Sequence, residues 1–420
     1  MTKAAQPLMP LDVAIATILA QVKILEGVDT VDTWDADGRV LAEDVVSEIA
    51  VPAMDNTSMD GYAVRSVDAT HSGARLRVTQ RIPAGSHGTL LQAGEAARIF
   101  TGAPIPPGAD AVVMQEHVQT DVQLPDQIVL HQSVASGQWI RRAGEDVAKG
   151  AVVLSKGTRL QPASLGLAAS IGKHRLKVMR KPRVALLSTG NELVMPGTVA
   201  PADMKPGAIY NSNRFFLRAL LLRSGCDVSD LGIVADQKQA TMATLAMASQ
   251  THDLIVSSGG VSVGEEDHVK PAVEALGVLN VWQIAMKPGK PLAFGWLNAA
   301  GEPDPHKTCY FMGLPGNPVS SFVTYLCVVW PFLSALQGMA PSASPAYVLP
   351  VHFDWPRPDK RREFLRVRRN SHGGLDLFPN QSSGVLTSVV WGDGLIDVAP
   401  GQVLRHGDMV AYWPFSHGLS

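Results

Sequence analysis

The 420-residue sequence is poor in cysteine. Its three, Cys226, Cys309 and Cys327, form no CxxC pair, which argues against a disulfide framework and a thioredoxin-type redox motif. Each sits in an apolar run and reads as a small buried hydrophobe. The twelve histidines form neither an HExxH pair nor a Cys/His cluster, so the usual zinc spacings are missing. Charge of one sign is lacking too. The formal net charge is −2, which gives no global field to draw nucleic acid or anionic lipid, so any anion site must be local. There is no clear membrane-spanning run. The most apolar stretch, 319–336, opens with Ser320, Ser321 and Thr324 and contains Pro331. It falls short of the roughly 20 apolar residues a span needs and reads as a buried helix. Residues 1–10 carry a single Lys and no apolar core of a signal peptide, so a cytoplasmic protein is expected. No internal repeat or low-complexity tract stands out.

What is present is length and order. A chain of this size holds two to four domains at roughly 100–200 residues each. Leu11, Ile15, Ile18, Leu19 and Val22 recur at helical spacing and predict a helix over 11–25. From 51 to 139 short β-rich runs (75–79, 96–100, 111–115, 127–130) alternate with Gly/Pro turns, which predicts an inserted β-rich domain. Residues 140–180 return to helix and turn, with Pro162 opening a helix that Gly172 closes. They group with 1–50 as a helical and linker domain packing with the first helix. From 181 to 338, strands at 184–188, 228–234 and 253–257 alternate with helices at 211–222, 240–249 and 268–276, before a long helix after Pro318. That alternation predicts a doubly wound, three-layer α/β domain on a parallel sheet. Residues 339–420 read as a closing β domain of barrel type. The fold class is therefore multidomain α/β plus β, an α/β domain flanked by β-rich ones.

Ligands of such sheets bind beyond the carboxyl ends of the strands. Three loops leave those ends: STGNEL (188–193), the turn holding Asp236, and SSGGVSVGEED (257–267). Glycines let backbone N–H groups approach an oxyanion, and helix starts add positive partial charge. Glu192, Asp236 and Asp267 add hard oxygen donors of the kind Mg²⁺ uses beside phosphates. Any one such loop is also ordinary turn punctuation; three together point to a phosphate-and-metal site. MKPGKP (286–291) sets Lys287 and Lys290 on a proline-stiffened turn, a compact cradle for phosphate or another oxyanion. GLPGNPVS (313–320) fixes Pro315 and Pro318 ahead of the long helix. MDGYA (59–63) and FTGAPIPPG (100–108) read by themselves as turns. Alternation in 361–369 puts Arg362, Phe364, Arg366 and Arg368 on one strand face, which is either a solvated basic face or, through Arg366, an oxyanion contact.

In order and spacing, MDGYA, FTGAPIPPGADAVVMQE, STGNEL, SSGGVSVGEED, MKPGKP, GLPGNPVS and REFLR resemble the MoeA family of molybdopterin molybdenumtransferases, to which the E domain of gephyrin is related. The resemblance spans nearly the whole chain. It implies an α/β domain like that of MogA, insertion of molybdate into adenylylated molybdopterin with release of AMP, and Mg²⁺ held by Glu192, Asp236 and Asp267. It also implies a homodimer whose cleft is completed by the partner's β-rich domain. Activity is expected to rest on Asp60, Thr101, Glu192, Asp236, Asp267, Lys287, Pro315 and Pro318. Substrate contacts are expected from Ser188, Gly259, Gly260, Ser262, Gly264, Lys290, Arg366 and Ser388. The pterin adenylyltransferase and molybdoenzyme acceptors are implied as partners; nucleic acid and membrane are not. Two positions depart from the family pattern: Asn191 stands for an acid, and Gln283 for a basic residue before the lysine turn. A pterin adenylyltransferase and a non-catalytic carrier or scaffold are the competing readings.

Overall fold

The structure, a computed structural model, describes residues 8–120, 124, 126–260, 268–298, 308–340 and 347–416. Asp267, Ser262 and Gly264 of the third glycine loop lie outside the described residues.

The first helix is shorter than its periodicity suggests, Leu11–Leu19. Ala20 caps it, and by Leu25 the chain has turned to donate to the Leu336 carbonyl. Val22 and Leu25 still pack on the core, so the apolar spacing continued along a face after the helix had stopped. Leu11, Ala14 and Ile18 join the core of the α/β domain rather than residues 140–180. Val28–Asp32 pairs antiparallel with Arg175–Met179, and the second helix is Pro162–Ser170. Ala36, Leu41, Val45, Val147, Leu160, Ala168 and Val178 form the separate core of that region. Between its two halves the chain makes a six-stranded sheet from Gly61–Val64, Arg75–Ile82, Glu95–Ile99, Ala111–Met114, Val118–Thr120 and Gln127–Leu130.

The main sheet of the α/β region has six strands: β1 (Arg183–Thr189), β2 (Asp227–Val234), β3 (Leu254–Ser258), β4 (Gly277–Gln283), β5 (Pro291–Asn298) and β6 (Thr308–Leu314), in sheet order 2-1-3-6-5-4. The sheet is mixed rather than wholly parallel. The register of β2, β1, β3 and β6 is parallel, while β5 pairs antiparallel with both β6 and β4. Val184 and Leu186 point to one face, where α1 (Ser212–Arg223), the first helix and the long helix pack. Ala185 and Leu187 point to the other, under α2 (Lys238–Ser249) and α3 (Val269–Leu276). Burial on both faces explains why these strands are continuously apolar.

The long helix α4 runs Pro318–Leu336 and is 72% buried, a core helix despite its apolar composition. A π-turn occupies Tyr325–Val329 ahead of Pro331, which has no N–H to donate to the Cys327 carbonyl. All three cysteines are buried and free, and burial pushes the Cys226 and Cys327 thiols up to about 12, far from a reactive thiolate.

In the C-terminal region Tyr347–Pro350, Arg362–Arg369, Gly394–Val398 and Met409–Pro414 form a sheet. Met286–Lys287 pairs parallel with Arg362–Glu363 as its edge. The lysine turn therefore belongs to both regions. Exposure does not alternate along Arg362–Arg369: Glu363 to Val367 are all buried. Leu365 and Val367 enter the C-terminal core while Phe364 enters the α/β core, so the strand is covered on both sides. Arg366, 1% exposed, is therefore not part of a solvated basic face, although Arg368 at the end of the strand is exposed.

Candidate functional site

The carboxyl ends of β1, β2, β3 and β6 open onto one cleft of about 720 Å³. β1 delivers Thr189, Gly190 and Glu192; β2 delivers Asp236; β3 delivers Ser258, Gly259 and Gly260. β6 leads to Pro315, Gly316, Asn317 and Pro318, and the start of α1 adds Asn211 and Asn213. The glycines are required by the backbone. Gly259 has φ +92°, and a Cβ there would lie 2.6 Å from the Thr189 carbonyl oxygen. Gly260 has φ +67°, and its Cβ would come within 2.4 Å of Val269. Both conformations disfavour an L side chain, and both contacts forbid one. The loop can thus lie flat along the cleft, with Gly259 N held by the Leu314 carbonyl and Gly260 on the cleft wall.

The charge of the cleft is acidic. Glu192 and Asp236 are its charged lining residues, and no lysine or arginine lines it among the described residues. Asp236 Oδ1 is buried without a hydrogen-bond partner, as are Ser188 Oγ and Thr189 Oγ1 at the end of β1. Buried polar atoms are satisfied almost everywhere in folded proteins, by protein, water or ligand, so this group at one end of the sheet marks where a bound species finds partners. A carboxylate oxygen left bare beside a glycine loop suits a hard divalent cation. The donor set of Glu192 and Asp236 therefore fits Mg²⁺. Among the described residues no group of three acidic, His or Cys side chains converges, and Asp267 lies outside them.

The lysine turn is built differently from the expected free cradle. Lys287 Nζ is 2.8 Å from Glu363 Oε1 and 3.4 Å from Asp359 Oδ2, so its charge is matched by two carboxylates of the C-terminal region. The Arg361 hydrogen bonds, backed by Lys287, hold the Asp359 carboxyl well below the usual carboxylate range. Lys290 is exposed and forms no ion pair among the described residues. Neither lysine lines the cleft, although Pro291, the last residue of the turn, does.

Arg366 is a buried cation without an ion pair among the described residues. Its guanidinium donates to Ser388 Oγ (3.1 Å), the Phe364 carbonyl (3.2 Å) and the Ser382 carbonyl (3.3 Å), with no carboxylate in hydrogen-bond range. Burial pulls it down to about 10, against the opposing pull of Glu363. The turn that receives it reaches the cleft: the Ser383 carbonyl accepts from Val319 N, and Gly384 lines the cleft wall. Arg366 and Ser388 thus stand one turn behind the site.

Asp60 and Thr101 do come together, on the β-rich domain. Asp60 Oδ1 accepts from both Thr101 N and Thr101 Oγ1 at 2.8 Å. The Thr101 amide, then its hydroxyl, lowers the Asp60 carboxyl. Arg98 braces the pair by donating to the carbonyls of Gly61 and Ile99 and by stacking on Tyr62 and Phe100. The pair is exposed and does not line the cleft of its own chain.

Sequence reasoning did not single out Asn211, Asn213, Ser258 or Gly384 as site residues. Asn211 is visible as the cap of α1, accepting from Arg214 N. For the others only the tertiary arrangement gives a signal.

This is a doubly wound α/β domain with an acidic, glycine-lined cleft at the carboxyl ends of its strands, flanked by β-rich domains. Residues 9–172 match the MoeA N-terminal region (domain I and II), 185–335 the "probable molybdopterin binding domain", and 348–415 the MoeA C-terminal region (domain IV). The molybdopterin molybdenumtransferase of Haemophilus influenzae is 42% identical over 332 residues, 79% of this chain and 78% of that protein. The one from Nostoc sp. is 38% identical over 80% of this chain and 75% of its own length. The crystal structure of the molybdopterin biosynthesis moeA protein from Pyrococcus horikoshii superposes with a TM-score of 0.83 at 27% identity, covering 97% of this chain and all of that one. The chain belongs to the MoeA family of molybdopterin molybdenumtransferases, enzymes of molybdenum cofactor biosynthesis.

Proposed function

We propose that the chain inserts molybdate into adenylylated molybdopterin and releases AMP. The observation that carries this is the acidic cleft itself. Its walls bring two carboxylates, one with a bare buried oxygen, to a glycine loop shaped for phosphate. A phosphoanhydride would be repelled there without a cation, so ligand and Mg²⁺ bind together or not at all. Glu192 and Asp236, with Asp267, would hold the Mg²⁺, which when bound neutralises charge on the anhydride. The N–H of Gly260 approaches the phosphate oxygens, Gly259 N being held by the Leu314 carbonyl, and Thr189 supplies a hydroxyl donor, with Ser188 buried behind it. Pro315 and Pro318 stiffen the loop on the opposite wall.

Molybdate, a tetrahedral dianion, needs positive groups that the cleft floor lacks. Arg366 with Ser388 supplies a buried cation free of carboxylate partners, and Lys290 an exposed one. Lys287 joins them once an anion competes with Glu363 and Asp359. In the reaction the two dithiolene sulfurs bond to molybdenum, oxo oxygens leave as water after taking up protons, and water cleaves the anhydride to AMP and the phosphate monoester of the metallated pterin. No side-chain nucleophile is needed; positioning and charge neutralisation carry the rate. The active form is a homodimer in the cytoplasm, with Asp60 and Thr101 of one protomer closing the cleft of the other. The adenylyltransferase delivers substrate and molybdoenzymes receive product. Purified protein, adenylylated molybdopterin, Mg²⁺ and molybdate should give AMP in proportion to molybdate inserted; AMP-free mixtures would refute the reading.

A further inference from the structure

Asn213 is absent from every motif that marks the site, yet it joins two walls of the cleft. It lies in the first turn of α1 and is 7% exposed. Its Nδ2 donates to Ser258 Oγ at 2.9 Å and to the Gly316 carbonyl at 2.8 Å. Both amide protons are therefore committed, one to each of two loops. Ser258 ends β3 and leads into the glycine loop; Gly316 follows β6 and leads into α4. These strands are neighbours, and Gly259 N also donates to the Leu314 carbonyl, so the loops part just where Asn213 bridges them.

The second loop is fixed at its ends, where Pro315 is buried and accepts from Ser321 Oγ, but its tip is not packed. Gly316 is exposed, and a Cβ there would meet nothing within 4 Å. The hydrogen bond from Asn213 is the restraint on the Gly316 carbonyl at this exposed tip. Asn213 is itself anchored, because the Asn211 side chain caps the helix by accepting from Arg214 N. We propose that Asn213 is a positioning residue: it sets the spacing and orientation of the glycine loop against the Pro315–Pro318 loop, and so the aim of the bound phosphoanhydride at the metal carboxylates. This rests on the transferase reading for its kinetic consequence, but not for the clamp.

Two substitutions test it. Asn213→Ala removes both bonds. Asn213→Asp keeps size and can still accept from Ser258 Oγ, but it opposes a carboxylate to the Gly316 carbonyl. Each variant is compared with wild type for AMP release, for AMP affinity by calorimetry, and for amide hydrogen exchange at Gly259, Gly260, Gly316 and Asn317. The expected result is a kcat lowered about ten- to a hundred-fold, as for lost positioning, with AMP affinity changed less than about threefold and faster exchange confined to the two loops. Asn213→Asp should free the 316–317 side more than the 258–260 side. Wild-type kcat, or a loss that merely tracks the unfolded fraction, overturns the proposal. If wild type releases no AMP, the transferase reading fails while the exchange data still decide the clamp: unchanged loop exchange in both variants overturns it.

Discussion

The two ends of the α/β sheet are finished in opposite ways. At the amino ends, Asp253 is 8% exposed and fully partnered. Arg180 donates to both its oxygens at 2.7 and 2.9 Å, and Arg183 gives its backbone N–H at 2.8 Å and a side-chain bond at 3.2 Å. At the carboxyl ends, Ser188 Oγ, Thr189 Oγ1 and Asp236 Oδ1 are buried and unpartnered. The same sheet carries a satisfied carboxylate at its amino edge, before β3, and bare polar groups at the carboxyl ends of β1 and β2. A satisfied network stabilises the folded chain at that point, whereas an unsatisfied one leaves binding energy for a ligand.

The largest effect expected from breaking this contrast is at the satisfied end. Asp253→Ala leaves Arg180 without its carboxylate and should cost about 3–5 kcal/mol of stability, read by denaturant unfolding, while kcat of the folded fraction stays unchanged. A loss of activity per folded molecule would erase the division between the two ends. The pH dependence follows. Burial alone would raise the Asp253 carboxyl, but hydrogen bonds from Arg180 and Arg183 outweigh it and hold it below the ordinary value. Its contribution is present above the unfolded-state pKa of about 3.9 and is lost as pH falls through the lower folded value. Asp253→Asn should flatten the acid limb of the stability curve.

At the other end the sign reverses. Asp236→Ala should cut Mg²⁺-dependent AMP release by about a hundredfold or more, with stability changed by less than about 1 kcal/mol or even raised, since a bare buried oxygen is removed. Activity within a few-fold of wild type would remove Asp236 from the metal site. A smaller effect is expected at the seam between the regions. Lys287→Ala should raise the molybdate concentration for half-maximal rate about ten- to a hundred-fold, and Lys287→Arg by less. Because Lys287 faces Glu363, 3% exposed, the alanine variant should also melt earlier. An unchanged molybdate dependence would make Lys287 a structural tie. The smallest signal, partial by nature, is complementation. Mixed Asp60→Ala and Asp267→Ala chains should recover up to about a quarter of wild-type activity if each cleft draws on both protomers in randomly exchanged dimers. Sedimentation as a monomer at micromolar concentration, or no recovery on mixing, would sink the shared site.

Most of the α/β architecture was legible from the sequence because both faces of its strands are buried and its helices begin and end on polar caps. The strands Gly277–Gln283, Pro291–Asn298 and Thr308–Leu314 were not read from the sequence, and the expectation of a wholly parallel sheet missed the antiparallel pairing of β5, since an apolar run has no direction written in it. The first helix was overextended because Val22 and Leu25 keep the apolar spacing after hydrogen bonding has turned away. In the site, the glycine loops and acids could be found by residue type because three of them follow apolar strands in one α/β domain, where strand ends converge.

The sequence by itself determined the alternation of strands and helices, the loops at the carboxyl ends and the family they resemble. These are local properties of residue type and spacing. Only the tertiary structure decided how charge is distributed. It matched Lys287 to Glu363 and Asp359, buried Arg366 without a carboxylate, and left Asp236 bare. It also turned Asn213 into a bridge between loops about 45 and 103 residues away in the chain. The reason is physical: hydrogen bonding and desolvation depend on what lies across a few ångströms of space, and no pattern along the chain encodes which distant groups will arrive there.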